Sequence, residues 1–219
     1  EDIDTLVSNM YAQFPRLDIL VNNAGSVFFQ RRQSVDGIEM TFALNHLNYF
    51  LLGNFLLELL CKSPSPKIIN VSSSAHKRSY IDFSDLQLKR NYQAWRAYGR
   101  SKLANLLFTY QMDRNLRGSK IAVNAVHPGL VATNFLASNN KSLIARFLNL
   151  FMRIGISSEE SASKIMNILV SNEFQKTRGK YFVDGMIEKS APQSYSEKDA
   201  KQLWILSNKL AGTDFPIHR

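Results

Sequence analysis

Tyr98 and Lys102 stand four residues apart in the stretch AYGRSKLAN (97–105). In a helix that spacing puts both side chains on one face, one turn from each other. A tyrosine so placed could exchange a proton with a substrate oxygen. A free phenol ionises near ~10, too high for an efficient base at neutral pH, and a nearby ammonium lowers that value by stabilising the phenolate. On spacing alone the pair is equally an ordinary solvated helix pair, so the residues around it must decide.

Other reactive side chains are sparse. His46, His76 and His218 are isolated, and His127 precedes Pro128 and shapes a loop. No His/Cys/carboxylate spacing suggests a metal site. The single cysteine, Cys61, rules out a disulfide within the chain and fits a reducing, cytoplasmic setting.

The 219 residues, 45% hydrophobic and 21% charged, suffice for one domain with a core that folds without staples. The net charge of +9 is scattered, its tightest groups being Arg31–Arg32, Lys77–Arg78 and Lys89–Arg90. With no interleaved aromatics, it reads as a solvated face rather than a nucleic-acid surface. The most apolar stretch, Leu47–Leu60, is 14 residues long and carries Asn48, Asn54 and Glu58, which suits a buried helix better than a membrane span. EDIDTLVSNMYAQFPR lacks the pattern of a signal peptide and opens on Glu, which leaves processing or an upstream start open.

The elements that must hold the pair follow from the hydrophobic pattern. LDILV (17–21) is a short apolar run stopped by Asn22-Asn23-Ala24-Gly25, and a helical stretch follows from about residue 35 to residue 60. KIINV (67–71) follows the Pro64–Pro66 breaker and precedes a serine cluster. A loop is expected over 74–94 and a helix over about 95–116, ended by Gly118. IAVNAV (121–126) is a third strand, closed by His127-Pro128-Gly129. SLIARFLNLFMRIG (142–155) reads as a lid or core helix, while its Arg146 and Arg153 also allow contact with a membrane surface. Ser157 and Glu160 have capping-box spacing and open another helix. GKYFVDG (179–185) is a fourth strand, and the tail over 195–210 is helical. Strands alternating with helices imply β-α-β units and a parallel sheet covered on both faces. No repeat or linker divides residues 1–219, so a single domain is expected.

A resemblance then becomes specific. LVNNAG, NVSS, Tyr98-x-x-x-Lys102 and HPG, with Thr133 four residues past Gly129, occur in one order and at suitable spacings. The chain resembles the short-chain dehydrogenase/reductase family over nearly its whole length. RAYGRSKLANLLF…VNAVHPGLVATNF and LWILSNKLAG are similar to the retinol-dehydrogenase-like branch. The resemblance implies a doubly wound, Rossmann-like α/β fold and hydride transfer between a nicotinamide cofactor and an alcohol/carbonyl substrate. Tyr98 would be the general acid/base, and Lys102 would lower its pKa and bind the cofactor ribose. Ser73, chosen over Ser72 and Ser74 because it stands three after Asn70, would hydrogen-bond the substrate oxygen. Asn45 would hold a water that relays protons through Lys102. Asn22, Ala24 and Gly25 would line the cofactor cleft, and Pro128, Gly129 and Thr133 would lie beside the nicotinamide. The branch favours NADP(H), with NAD(H) left open, and a lipophilic substrate. The family's pairing helices match those around Asn45 and after Tyr98, which implies a homodimer. Membrane association through a preceding segment stays open.

Two departures stand out. Asn48 occupies a position where the family often has glycine, three after Asn45. The ten glycines also include no two closer than Gly179 and Gly185, six apart, so no Gly-x-x-x-Gly-x-Gly or Gly-x-Gly-x-x-Gly loop exists in these residues. Such a loop lets a helix N-terminus approach a pyrophosphate. The resemblance therefore implies that three strands and two helices, on the order of 80 residues, precede this stretch in the family. The strand at 17–21 then becomes an exposed apolar edge. Two functions stay open at this point: an oxidoreductase, or a catalytically inactive half-domain serving as an interaction or scaffold module.

Overall fold

The computed structural model describes residues 2–129, 158–170, 174 and 177–217. Five strands form one sheet in chain order: β1 (Ile19–Asn22), β2 (Lys67–Val71), β3 (Ala122–His127), β4 (Tyr181–Val183) and β5 (Met186–Glu188). The first four run parallel, with Ile19 opposite Lys67, Lys67 opposite Ala122, and Ala125 opposite Tyr181. β5 returns antiparallel on β4. Parallel neighbours need long crossovers. Between β1 and β2 the crossover is α2 (Met40–Phe42), a π-helical turn (Ala43–Leu47), α3 (Asn48–Phe55) and α4 (Leu57–Cys61). Between β2 and β3 it is α5 (Ala94–Asn115). Helices α1 (Asp2–Gln13), α6 (Ser158–Val170) and α7 (Glu197–Ala211) complete the described elements.

β2 is buried from end to end because its successive side chains enter two different layers. Ile68 packs with Phe50, Phe108 and Trp204 on the side of α3, α5 and α7. Ile69 and Val71 pack with Ile165, Ile168 and Leu169 of α6 on the other. Each fully buried isoleucine contributes roughly 1.5–3 kcal/mol relative to exposure. The result is a mostly parallel sheet with helices on both faces, the α/β architecture that the alternating pattern implies.

Helix α5 is buried on all sides from Gly99 to Met112. Leu203 of α7 joins Leu103 and Leu107 in one cluster, and the Trp204 ring lies 5.8 Å from Phe108. Much of the apolar surface of α5 is thereby covered by α7 of the same chain.

Several boundaries differ from the sequence pattern for local reasons. The crossover helix begins at Met40, not near residue 35. Ser34 Oγ accepts N–H bonds from Asp36 and Ile38, Gly37 turns with φ of 75°, and the Glu39 carboxylate caps the N–H groups of Thr41 and Phe42. Val35 is left fully exposed. β1 starts at Ile19 because the Leu17 N–H is given to the Leu59 carbonyl. The loop over 74–94 contains two 3-10 turns, Ser74–Arg78 and Phe83–Asp85. β5 is an addition to the expected strands. Asp184 and Gly185 both take positive φ, 47° and 87°, the geometry of a tight hairpin turn. The 142–155 stretch and the Ser157 cap lie outside the described residues. Among the described residues β1 is the end strand of the sheet, with Ile19 39% and Val21 37% exposed. Among them also, no helix is long and apolar enough to cross a membrane.

Candidate active site

Parallel strands deliver their C-terminal ends to one side of the sheet, where ligands bind in open α/β folds. Here the ends of β1, β2 and β3 open into a cleft of about 1590 Å³. Ala24 and Gly25 enter from the turn after β1, Ser73 from the end of β2, and Pro128 and Gly129 from the end of β3. Tyr98 and Lys102 enter from the first turns of α5, and Ile165 from α6. Thr133 lies outside the described residues.

Lys102 is 3% exposed, and its Nζ donates to the Val71 carbonyl at 3.0 Å. It lies 5.7 Å from the Tyr98 ring and 5.6 Å from the Tyr49 ring. Burial brings its ammonium from 10.5 down to about 7. Burial also raises the Tyr98 phenol above its ordinary value, and a hydrogen bond from the Ser73 side chain opposes that rise. Both shifts have one leading cause: burial makes charge on either group costly in this wall of the cleft.

The three neighbouring serines have separate environments. Ser73 caps the 3-10 turn, accepting from the Ala75 N–H, and bonds Tyr98. Ser72 is buried and donates to the Lys102 carbonyl at 2.9 Å. Ser74 is exposed.

Asn45 does not line the cleft; it stands directly behind it on the π-helical turn. Its Oδ1 accepts from the Ser26 N–H at 2.8 Å, and its Nδ2 donates to the Ser26 carbonyl and to Ser101 Oγ, both at 3.0 Å. The amide therefore clamps the turn after β1 onto α5. A π turn inserts one residue into a helix and commonly marks a functional site. Asn48, where the family often has glycine, takes ordinary helical angles of −58° and −42°. Gly25 lies so near that a Cβ there would meet Asn45 Oδ1 at 3.1 Å and Lys102 Nζ at 3.4 Å.

Asn22 is not on the cleft. It is 3% exposed and donates to Asn70 Oδ1 at 2.8 Å, tying β1 to β2, while Asn70 donates to Thr109 of α5. Strand alternation turns its side chain into the interior, while the flanking Val21 and Asn23 line the cleft.

Two histidines that look isolated in the sequence brace this site. His46, next to Asn45, is wholly buried and bridges Asn105 Oδ1 at 3.3 Å and Ser207 Oγ at 3.1 Å. Asn105 in turn donates to the Val71 carbonyl at 3.2 Å, the same oxygen that holds Lys102. His76 donates from Nδ1 to the Ser73 carbonyl at 2.6 Å and accepts the Ala191 N–H at Nε2, 3.1 Å away. That pairing fixes the neutral tautomer with its proton on Nδ1. His127 also lines the cleft. Apart from Ser73, three residues before His76, these histidines' partners are 59 to 161 residues away in the chain, so local spacing does not announce them.

A family model described as short chain dehydrogenase matches residues 1–143. The chain belongs to the short-chain dehydrogenase family. It is similar to mouse retinol dehydrogenase 14, 39% identical over 203 residues that cover 90% of this chain and 60% of that protein. Human retinol dehydrogenase 13 is 40% identical over 210 residues, covering 93% of this chain and 63% of that protein. The chain thus spans about three fifths of the length of these curated relatives. Among solved structures, an uncharacterized protein from Mycobacterium paratuberculosis superposes with a TM-score of 0.74 at 28% identity, covering 97% of this chain and 74% of that one. Carbonyl reductase from chicken fatty liver, described as NADPH bound, shares the fold with a TM-score of 0.57 at 23% identity, covering 86% and 71%.

The short-chain dehydrogenase residues present fit one end of a nicotinamide cofactor. A buried cation, a glycine turn in which a Cβ would crowd Asn45 and Lys102, and a phenol beside a serine suit a ribose and its reacting ring. The pyrophosphate end has no glycine-rich loop among these 219 residues.

Proposed function

We propose that the protein is an NAD(P)-dependent oxidoreductase interconverting an alcohol and a carbonyl compound, with Tyr98 as the proton-transfer group. The observation that carries this reading is the convergence of Tyr98, Lys102 and Ser73 at the C-terminal end of β2, with Lys102 bound to the Val71 carbonyl. When bound, NAD(P)H supplies the hydride that the carbonyl carbon receives. In the reducing direction Ser73 and Tyr98 hold the substrate oxygen and Tyr98 delivers its phenolic proton to it. Lys102 offsets the negative charge left on Tyr98. In the oxidising direction the same groups take the proton back. Asn45 keeps the glycine turn at the distance from α5 that this arrangement requires. The retinol-dehydrogenase names of the relatives and the branch resemblance support a lipophilic alcohol or aldehyde and NADP(H) over NAD(H). The single exposed Cys61 thiol is compatible with a reducing compartment. Residues 1–219 belong, in this reading, to one domain whose pyrophosphate-binding part is not among them.

In the intact protein, Tyr98→Phe is expected to lower turnover by about 10²–10⁴-fold while cofactor affinity stays within a few-fold. Absorbance at the nicotinamide band and a direct binding titration separate the two. Retained turnover in Tyr98→Phe removes the assigned role. The second reading, a non-catalytic scaffold module, draws on the missing glycine loop. It predicts no NAD(P)H binding and no turnover by the intact protein.

A further inference from the structure

The cleft has a one-sided charge. Among the described residues that line it are Lys77, Arg78, Arg96 and Lys102, with no aspartate or glutamate. Lys102 belongs to the proton-transfer site, whereas the other three do not. Lys77 and Arg78 are exposed and lie on the Ser74–Arg78 3-10 turn that Ser73 caps, with Lys77 about 8 Å along its axis from Ser73. Arg96 is two residues before Tyr98 on α5, about 3 Å of rise. Its guanidinium is fixed: it donates to Tyr80 OH at 2.7 Å and stacks 5.4 Å over the Tyr80 ring. No carboxylate among the described residues forms an ion pair with any of the three. The carboxylate of Asp184, which acts on nearby His127, is held by Lys164 at 3.0 Å.

Arg96 lies on the side of Tyr98 away from Lys102 and the glycine turn, and Lys77 and Arg78 line the same cleft from the turn after β2. Along α5 the order is Arg96, Tyr98, Lys102. The glycine turn and Asn45 gather at the Lys102 end. Apolar side chains line the same cleft: the Trp95 ring lies 6.1 Å from Tyr98, and Ile165 and Met166 of α6 join it, alongside polar Ser74, Ser79 and Gln93. Half-exposed aromatic surface beside unpaired cations suits a molecule with an apolar body and an anionic end.

We propose that the substrate is an amphipathic alcohol or carbonyl compound carrying an acidic group at the end remote from the reacting carbon, received by Lys77, Arg78 and Arg96. This rests on the oxidoreductase reading for which end reacts. The proposal names a charged substrate class, whereas the names of the relatives point to an uncharged alcohol.

The test is a binding titration of the intact protein with ω-oxodecanoate and with its methyl ester, which differ only in the terminal charge. The protein has two tryptophans. Trp204 is buried in the core and Trp95 is 50% exposed on the cleft, so fluorescence reports binding at Trp95 without cofactor or turnover. The acid is expected to bind about tenfold or more tighter than the ester, since hydrogen bonds to charged partners are the stronger class. The preference should shrink with added salt and fall to within about twofold in Lys77→Ala/Arg78→Ala/Arg96→Ala, while Arg96→Lys keeps most of it. Equal affinity for acid and ester overturns the proposal, as does a preference that survives the triple substitution. A triple variant that loses NADPH affinity and keeps the acid preference also overturns it, because the cations would then serve the cofactor. An acid preference that depends on the three cations, without NAD(P)H-dependent turnover of either probe, supports the anion site and counts against the oxidoreductase reading.

Discussion

Replacing Lys102 with methionine should make the cofactor-free protein more stable and catalytically inert. The buried ammonium is brought from 10.5 to about 7 by desolvation. At about 1.4 kcal/mol per tenfold, the charged form costs the fold about 5 kcal/mol when fully protonated. The folded value lies below the unfolded one. Between about pH 7 and 10.5 the unfolded chain therefore binds more protons, and stability rises with pH. The cost is complete below about pH 7 and disappears above 10.5. Methionine removes the charge, and its sulfur faces the Tyr49 and Tyr98 rings that flank Nζ at 5.6 and 5.7 Å. The Val71 carbonyl keeps a donor, Asn105 Nδ2 at 3.2 Å, so only about 1 kcal/mol of hydrogen bonding is lost. The net gain at pH 6 should be about 2–4 kcal/mol, shrinking towards zero or below by pH 10. Urea unfolding of both proteins from pH 6 to pH 10 measures it. A variant no more stable than the parent at pH 6, or a difference independent of pH, would refute the reasoning.

His46 is held neutral, its ionisation lowered from 6.5 to about 4 by burial, so stability should fall by about 3 kcal/mol as pH drops from 6.5 to 4. His46→Gln should flatten that part of the profile, measured by urea unfolding at each pH. Residual slope is expected from His76 and His127, whose ionisation burial also lowers. A Cβ at Gly99 would collide with Ser79 Oγ and approach the Ala75 carbonyl to 3.0 Å, so Gly99→Ala should displace the Ser74–Arg78 turn and lower the melting temperature by several degrees. In Gly25→Ala the new methyl presses on Asn45 and Lys102, and NAD(P)H affinity in the intact protein should fall about tenfold with little change in unfolding midpoint.

What the sequence discloses depends on the range of the interaction. KIINV (67–71) coincides with β2 because five apolar-rich residues between breakers leave no other element of that length. The start at Met40 is hidden, since the hydrophobic pattern continues through the Ser34–Gly37 turn and only the Glu39 cap marks the true boundary. The π turn is equally hidden, because one inserted residue hardly changes the order of apolar positions. β5 carries a local signal, Asp184-Gly185, but the strand that follows is only three residues long and shows no pattern of its own. In the site, Tyr98 and Lys102 are legible because their relation is local. Ser207, His46, Asn105 and Val71 meet only after the chain has folded, and each looks ordinary alone. The inward side chain of Asn22 is not legible in the sequence, because composition identifies a turn and says nothing about which way its first side chain points.

The Val71 carbonyl gives the molecule an unequal capacity to change. It holds both Lys102 and Asn105, and it ends the most deeply buried strand. Lys102, and with it the proton-transfer pair of the proposed function, is thereby attached to the part of the fold least free to vary. Lys77, Arg78, Tyr80 and Trp95 sit on exposed surface whose replacement disturbs little packing. Descendants of this sequence could change the rim many times over while the hold of Val71 on Lys102 and Asn105 stayed as it is.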